Sequence, residues 1–194
     1  MKLYYAPGAC SLASHIVAVE GGLALELENV DLKTHRTESG QDYKAINPKG
    51  YVPGLQLEDG ALLTENVALL SFLGDKTGLT PAEGMARYRP LEWLGYISSE
   101  LHKSFVPLFG GDSDAAKAEA RKDIQSRLAL IEDRLDDDYL MGGAFSAPDA
   151  YLYVMLRWCA KMGIELPGPR LTAFKNRMEA RAGVAKALKE EGLD

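Results

Sequence analysis

Residues 2–11, KLYYAPGACS, are the stretch that decides the fold of this chain. They combine a short apolar strand, a Pro-Gly turn and the start of a helix, with Cys10 at the helix start. Apolar residues then recur at helical spacing until Gly21-Gly22, and residues 25–28 alternate as a half-buried strand does. The pattern predicts a β-α-β unit at the beginning of the sequence.

A hairpin and a second helix follow this unit. Asp59-Gly60 separates two short apolar runs, which is a strong signal for a tight hairpin turn. Residues 33–41 are polar and predict a loop, whereas apolar residues recur at helical spacing over residues 67–73. The order β-α-β, loop, β-β-α is that of a thioredoxin-like α/β domain, which we assign to residues 1–76.

The remainder of the chain is predicted to be helical. Gly, Pro and Thr residues between Gly74 and Met85 indicate a linker. Every later periodic segment has helical spacing, with long helices expected around residues 91–101 and 124–135. We therefore expect an all-α domain over residues 86–194.

One helix of this second domain is predicted to be central. Residues 151–156 are apolar on all sides, which is typical of a helix buried within a core. Ser146 and Asp149 have the spacing of a capping box, in which each side chain satisfies a backbone amide at the helix start. The start of this helix is therefore well specified by the sequence.

The composition excludes several classes of function. The 194 residues include 22 Lys and Arg against 28 Asp and Glu, so the chain lacks the excess of positive charge that nucleic-acid binding requires. No apolar run reaches the roughly 18 residues of a membrane span. Two cysteines are too few for a disulfide framework and suggest a reducing compartment. We therefore expect a cytoplasmic protein that binds neither nucleic acid nor membrane.

The thiol of Cys10 is the first candidate for chemistry. A free thiol has a pKa near ~8.5 and a helix start lowers it, so the functional interpretation is a reactive thiolate. The structural alternative is a small packed residue. Position 13 is Ala, so the Cys-x-x-Cys motif of dithiol redox proteins is absent. Cys159 lies in the apolar helix and is predicted to be a core residue.

Three further sites have both a functional and a structural interpretation. Val52-Pro53, at the head of a strand, leaves backbone groups that can pair with an added peptide, although the residues alone favour a plain turn proline. Glu65 and Asn66 start a helix. There the Glu65 carboxylate can bind an ammonium group, and the free backbone amides can bind a carboxylate. The alternative is that the pair only stabilises the helix, because an acidic residue in the first turn interacts favourably with the helix dipole. His102 follows an apolar stripe, so it either faces a domain cleft or is a structural histidine.

Taken together, these motifs resemble the beta class of bacterial cytosolic glutathione transferases. The resemblance runs nearly from end to end, because the matching segments occur in the same order at the same spacing. It implies a thioredoxin-like domain with a cis Val52-Pro53 bond, a helical domain that lines the electrophile site and the dimer interface, and a homodimer. The matching segments are residues 2–11, 40–43, 47–50, 62–65, 98–103, 145–152, 156–158 and 191–193.

The resemblance also assigns roles to individual positions. Cys10 contacts the sulfur of glutathione and can form a mixed disulfide with it, and His102 lines the site from the helical domain; these two are the implied catalytic residues. The Val52 backbone pairs with the cysteinyl part, and Glu65 with Asn66 holds the γ-glutamyl end. The complete implied glutathione site is Cys10, His35, Tyr51, Val52, Pro53, Glu65, Asn66, Ser99, His102 and Lys103.

Two positions depart from the family pattern. His35 stands where relatives have a Lys for the glycyl carboxylate, and Gly95 stands where they have an Asn that reaches across from the partner subunit. Both changes weaken polar contacts, so we expect looser binding of glutathione than in the type members.

The resemblance implies a detoxifying transferase that joins the glutathione thiolate to small hydrophobic electrophiles. Glutathione is the co-substrate, and no metal is implied. Two alternatives remain open from the residues alone. One is a glutathione-dependent thiol-disulfide oxidoreductase that uses Cys10 as its nucleophile. The other is a non-catalytic protein that binds glutathione or hydrophobic ligands.

Overall fold

The computed structural model describes residues 1–81 and 83–193. Its N-terminal region is built on one five-stranded sheet in the order β3-β2-β1-β4-β5. β1 pairs with β2 in parallel, and the other neighbouring pairs are antiparallel, including the predicted hairpin of β4 and β5. The strands are β1 (Lys2–Tyr5), β2 (Glu26–Asp31), β3 (Arg36–Thr37), β4 (Gly54–Gln56) and β5 (Leu62–Thr64).

Three helices belong to this region: α1 (Ser11–Glu20), α2 (Tyr43–Ile46) and α3 (Asn66–Thr77). The predicted β-α-β start and the helix after the hairpin are confirmed. The expected loop over residues 33–41 is partly wrong, because β3 lies within it and pairs with β2 through Val30 and Thr37. A strand of two residues shows no alternation that a sequence can reveal.

The C-terminal region is helical, as predicted. A single 3₁₀ turn (Met85–Arg87) precedes α4 (Tyr88–Tyr96), and α4 continues without interruption as a π-helical segment (Ile97–His102). Pro90 lies in the first turn of α4, where a missing amide hydrogen costs nothing. The remaining helices are α5 (Val106–Phe109), α6 (Asp114–Arg134), α7 (Ala147–Lys161), α8 (Pro169–Glu179) and α9 (Ala182–Glu190).

One hydrophobic core extends through both regions. α1 packs against the sheet, α3, α7 and α9, so it lies at the centre of the molecule. The imidazole of His15, in α1, lies between two carboxylates, 2.8 Å from that of Glu190 and 3.1 Å from that of Glu191. At the end of α1, both oxygens of Glu20 accept from the guanidinium of Arg181. Within the described residues, no helix has the length and apolar character needed to cross a membrane.

The predicted capping box of α7 is present and fully buried. The amide and the hydroxyl of Ser146 both donate to Asp149 Oδ2, at 2.8 and 2.6 Å, and the amide of Leu140 donates to its Oδ1 at 2.8 Å. Burial raises the pKa of this carboxyl to about 6, against the opposing effect of the three donors. α7 is thereby fixed at its start, with Tyr151 one turn further along.

We expect Asp149→Ala to lower the free energy of unfolding by at least about 2 kcal/mol, because it leaves buried donors without an acceptor. Chemical denaturation of the purified protein measures this. Ser113→Ala is the matched control, because Ser113 caps the exposed start of α6 and its loss costs only about 1 kcal/mol or less. Equal effects of the two variants contradict the prediction.

Candidate active site

A cleft of about 110 Å³ lies between the sheet and the helical region. Seven of the ten residues predicted for the site line it: Cys10, Tyr51, Val52, Pro53, Glu65, Asn66 and His102. His35, Ser99 and Lys103 do not. Four residues that were not among the predicted site residues complete the lining: Asn47, Thr64, Ser98 and Tyr151.

Cys10 immediately precedes α1, and its sulfur lies 3.5 Å from the carbonyl oxygen of Val52, to which the thiol donates. Burial raises the pKa of Cys10 to about 12, although the amides of Cys10 and Ser11 at the helix start oppose this effect. The predicted ready thiolate is therefore wrong for this structure: Cys10 is a neutral thiol at physiological pH. Its position at the helix start is as expected, but burial outweighs the dipole.

Hydrogen bonds from the N-terminal region hold the loop that precedes Val52. Asn47 and Tyr43 both donate to the carbonyl of Tyr51, at 2.9 and 3.2 Å. The implied cis bond between Val52 and Pro53 is present. Asn47, from the NPKG segment, therefore acts as a positioning residue for the strand head.

Glu65 has a φ of +72° and places an exposed carboxylate at the rim of the cleft. The ammonium of Lys49 lies 2.5 Å from this carboxylate and also donates to the hydroxyl of Thr64 at 2.9 Å. The sequence contained no signal for this pair, because a spacing of 16 residues follows no local periodicity. Glu65 is thus already engaged by a cation of the protein itself.

Asn66 is buried and has an internal role. Its amide nitrogen donates to the carbonyl of Cys10 at 3.1 Å, and its oxygen accepts from the hydroxyl of Ser14 at 3.0 Å. These bonds tie the start of α3 to the start of α1. The side chain therefore holds the two helix starts in place.

His102 closes the cleft from the helical region. Its Nδ1 lies 2.6 Å from the hydroxyl oxygen of Tyr151, and its ring meets that of Trp158 edge-on at 4.9 Å. Burial lowers the pKa of His102 to about 4, so its imidazole is neutral at physiological pH. Tyr151 is buried in α7, and burial raises its pKa as well. Its place in an apolar run made Tyr151 look like a core residue.

Ser98, and not Ser99, shares the cleft with His102. Ser98 lies four residues before His102 and therefore on the same face of the helical segment. Ser99 lies on the next face with Lys103, and both line a separate groove against α6. The implied roles of Ser99 and Lys103 in the glutathione site are therefore not matched by their positions in this chain.

His35 lies behind the cleft, in the turn between β2 and β3. Its Nδ1 is 3.0 Å from the carbonyl oxygen of Gly50, and because a carbonyl only accepts, Nδ1 must carry a proton. Neutral His35 therefore has only an acceptor left on Nε2 and cannot donate to a carboxylate. In this position His35 anchors the loop that precedes Tyr51.

An aromatic wall adjoins the cleft. Phe105 and Phe109 meet the ring of Trp158 edge-on at 5.4 and 4.9 Å, and Phe109 is 57% exposed. The indole of Trp158 also donates to the carbonyl of Gly8 at 2.8 Å, next to the turn that leads to Cys10. An exposed apolar surface thereby lies next to His102 and to the turn that precedes Cys10.

Comparison with known proteins identifies the family. Residues 8–76 match the N-terminal domain of glutathione S-transferases, and residues 114–186 match the C-terminal domain. Glutathione S-transferase GstA of Escherichia coli O157:H7 is 44% identical over the full length of both chains. A sphingomonad glutathione S-transferase solved in complex with glutathione is 46% identical, with a TM-score of 0.95 and complete coverage of both chains.

The class is shown by a further solved structure. The bacterial beta class glutathione S-transferase of Sphingomonas chungbukensis is 43% identical, with a TM-score of 0.95 over all of both chains. These similarities confirm the predicted combination of a thioredoxin-like N-terminal domain and a helical C-terminal domain. They also decide between an enzyme and a non-catalytic binding protein. The chain belongs to the glutathione S-transferase family and is a transferase of its bacterial beta class.

Proposed function

We propose that glutathione binds along the cleft in an extended form. Its sulfur lies beside Cys10, its cysteinyl backbone pairs with Val52, and its ammonium is held by Glu65. The observation that supports this arrangement is that Cys10, Val52, Glu65 and His102 line one cleft, in which the Cys10 sulfur lies 3.5 Å from the carbonyl oxygen of Val52. We assign glutathione binding chiefly to residues 1–76 and the facing wall to residues 86–194.

The proposed reaction is attack by the glutathione thiolate on a small hydrophobic electrophile. A neutral His102 can donate a hydrogen bond to the sulfur anion, and the neutral thiol of Cys10 can donate a second. The exposed ring of Phe109 and the edge of Trp158 supply the apolar surface against which the electrophile binds. The protein thus contributes anion stabilisation and proximity while the nucleophile comes from the substrate.

Thiol-disulfide exchange at Cys10 is the second candidate. It needs the Cys10 thiolate, and a pKa of about 12 leaves almost none of it at neutral pH. Conjugation needs only the neutral thiol of Cys10, as a hydrogen-bond donor to the glutathione sulfur. The burial of Cys10 therefore favours conjugation as the principal activity. The proposed role of this activity is detoxification in the cytoplasm.

A homodimer is the proposed assembly. Met85, Tyr88 and Leu91 form an apolar strip at the start of the helical region, with Met85 67% and Tyr88 59% exposed. Large exposed apolar side chains close together on one surface are typical of an interaction site. A second copy of the chain is the natural occupant, since most homo-oligomers have closed two-fold symmetry.

Variants of the two proposed catalytic residues separate the two activities. We expect Cys10→Ala to abolish reduction of glutathione mixed disulfides and to lower conjugation by only about 10-fold, the worth of one hydrogen bond. His102→Ala should lower conjugation by about 100-fold, because it removes a donor to the anion. Steady-state kinetics with an aryl halide and with a glutathione mixed disulfide measure both activities.

Cys159→Ala is the matched control, because Cys159 is a buried thiol outside the cleft, and it should leave both activities unchanged. If Cys10→Ala abolishes conjugation and His102→Ala leaves it intact, the enzyme is a Cys-centred oxidoreductase instead.

The Glu65 carboxylate should determine affinity for the amino end of glutathione. Glu65→Gln removes a charge-assisted contact worth about 1.5 kcal/mol, so we expect glutathione to bind about 10-fold more weakly. Glutathione that lacks its amino group should bind equally to both proteins. Lys49→Met is the matched control: it frees the carboxylate from its internal cation and should hold glutathione as tightly as the parent or more tightly. Calorimetric titration distinguishes these outcomes, and a loss of affinity on Lys49→Met means that Lys49 itself contacts glutathione.

Light scattering tests the proposed assembly. We expect a particle of twice the chain mass of 21.2 kDa at micromolar concentration. Tyr88→Glu places a charge in the apolar strip and should reduce the mass to that of one chain, because an unpaired charge is costly to bury. Val106→Glu changes an equally exposed apolar residue outside the strip and should leave the dimer intact. A single-chain mass for the unaltered protein contradicts the proposal.

A further inference from the structure

Tyr151 has no assigned role, and its hydroxyl makes a short contact with His102 inside the cleft. The side chain is 1% exposed, and its oxygen lies 2.6 Å from Nδ1 of His102. This distance is that of a strong hydrogen bond. The contact occupies Nδ1 completely, so Nε2 is the nitrogen that His102 can offer to a ligand.

Nε2 of His102 is open to the cleft. Among residues 1–81 and 83–193 it has no hydrogen-bond partner. It is also not among the fully buried polar atoms that lack a partner, so it is accessible from the cleft. His102 itself lines the cleft together with Cys10. The atom that meets the glutathione sulfur is therefore Nε2.

The hydrogen bond to Tyr151 decides whether Nε2 carries a proton. In a neutral imidazole one nitrogen donates and the other accepts, so the direction of the bond at Nδ1 fixes the state of Nε2. The hydroxyl of Tyr151 is buried, and among residues 1–81 and 83–193 its only hydrogen-bond partner is Nδ1 of His102. A buried hydroxyl proton needs an acceptor, and an imidazole nitrogen without a proton can supply one, so the hydroxyl donates to Nδ1.

We propose that Tyr151 is a positioning residue for the transferase reaction: its hydroxyl donates to Nδ1 of His102 and holds the imidazole with its proton on Nε2. That Nε2–H is then the donor that stabilises the glutathione thiolate. No bond is made or broken at Tyr151, which acts entirely through His102. The inference rests on the role of His102 in the proposed function.

The elements that hold the two residues suit this role. Tyr151 lies in the first half of α7, whose start is locked by the buried capping box, so the hydroxyl has a fixed position. His102 ends the π-helical segment, and π-helical turns often occur where a side chain must be presented to a site. A rigid donor therefore orients a ring at the end of a less regular element.

The first test is Tyr151→Phe, which removes the hydroxyl and keeps the ring. Loss of a donor that contacts the anion directly costs roughly 100-fold or more in kcat. Tyr151 acts only through His102, so we expect a smaller loss of about 10-fold in kcat/KM for conjugation. The Kd of glutathione should change by less than about 2-fold, since no contact with the tripeptide is lost. The apparent pKa of the bound glutathione thiol, followed by thiolate absorbance, should rise. Tyr153→Phe is the matched control, because its hydroxyl accepts from Arg157 and has no other hydrogen-bond partner among the residues that the structure describes.

A double-mutant cycle tests whether Tyr151 acts through His102. In the His102→Ala background, the additional change Tyr151→Phe should have no further effect on kcat/KM. The same loss in both backgrounds overturns the inference, as does full activity in Tyr151→Phe. If His102→Ala alone leaves conjugation intact, the proposed role of His102 fails instead, so the two failures are distinguishable.

Nitrogen NMR provides a readout that needs no altered activity. In the unaltered protein, the signal of His102, identified by its absence in His102→Ala, should show an unprotonated Nδ1 and a protonated Nε2. In Tyr151→Phe this preference should weaken. A protonated Nδ1 in the unaltered protein overturns the inference even if Tyr151→Phe does not fold.

Discussion

The burial of α1 is the constraint on which the rest of this structure depends. Eight consecutive residues, Ser11 to Ala18, are buried, because the sheet, α3, α7 and α9 all pack against this helix. A helix enclosed on all sides must satisfy its polar groups within the protein. Ser14 accordingly bonds to Asn66, and His15 bonds to Glu191 near the C-terminus. Cys10, at the start of α1, is thereby fixed relative to both halves of the molecule.

The same burial determines the protonation states at the reactive end of the cleft. The field at a helix start is worth at most about 2 kcal/mol, or about 1.5 pKa units, whereas full burial shifts a pKa by up to 3–5 units. Desolvation therefore prevails, and Cys10 and His102 are both neutral at physiological pH. Neutral groups that still carry hydrogen-bond donors can stabilise a sulfur anion without competing with it as a nucleophile.

The opposite end of the cleft has the reverse character. Glu65 and Lys49 are exposed and form an ion pair at the rim, where solvent screens their attraction. The cleft thus joins a solvated, charged rim to a buried, neutral interior. A peptide with a charged amino end and a central thiol matches this division, because only its reactive sulfur has to leave water.

Local patterns in the sequence determined most of the architecture. The β-α-β start, the Asp59-Gly60 hairpin and the capping box at Ser146 each depend on residues close together in the chain, so their physical causes are visible in the sequence. The positions of Cys10 and Glu65 at helix starts follow from the same patterns. β3 was not predicted, because a strand of two residues is too short to show the alternation of apolar and polar residues.

Tertiary packing decided the chemistry of the site. The pKa of Cys10 depends on how deeply α7 and the loop at Val52 enclose it, and no local pattern reports enclosure. The partners of Glu65 and His102 lie 16 and 49 residues away in the sequence, in Lys49 and Tyr151. Hydrogen bonds and desolvation act over a few ångströms in space regardless of separation along the chain, so only the folded structure brings these groups together.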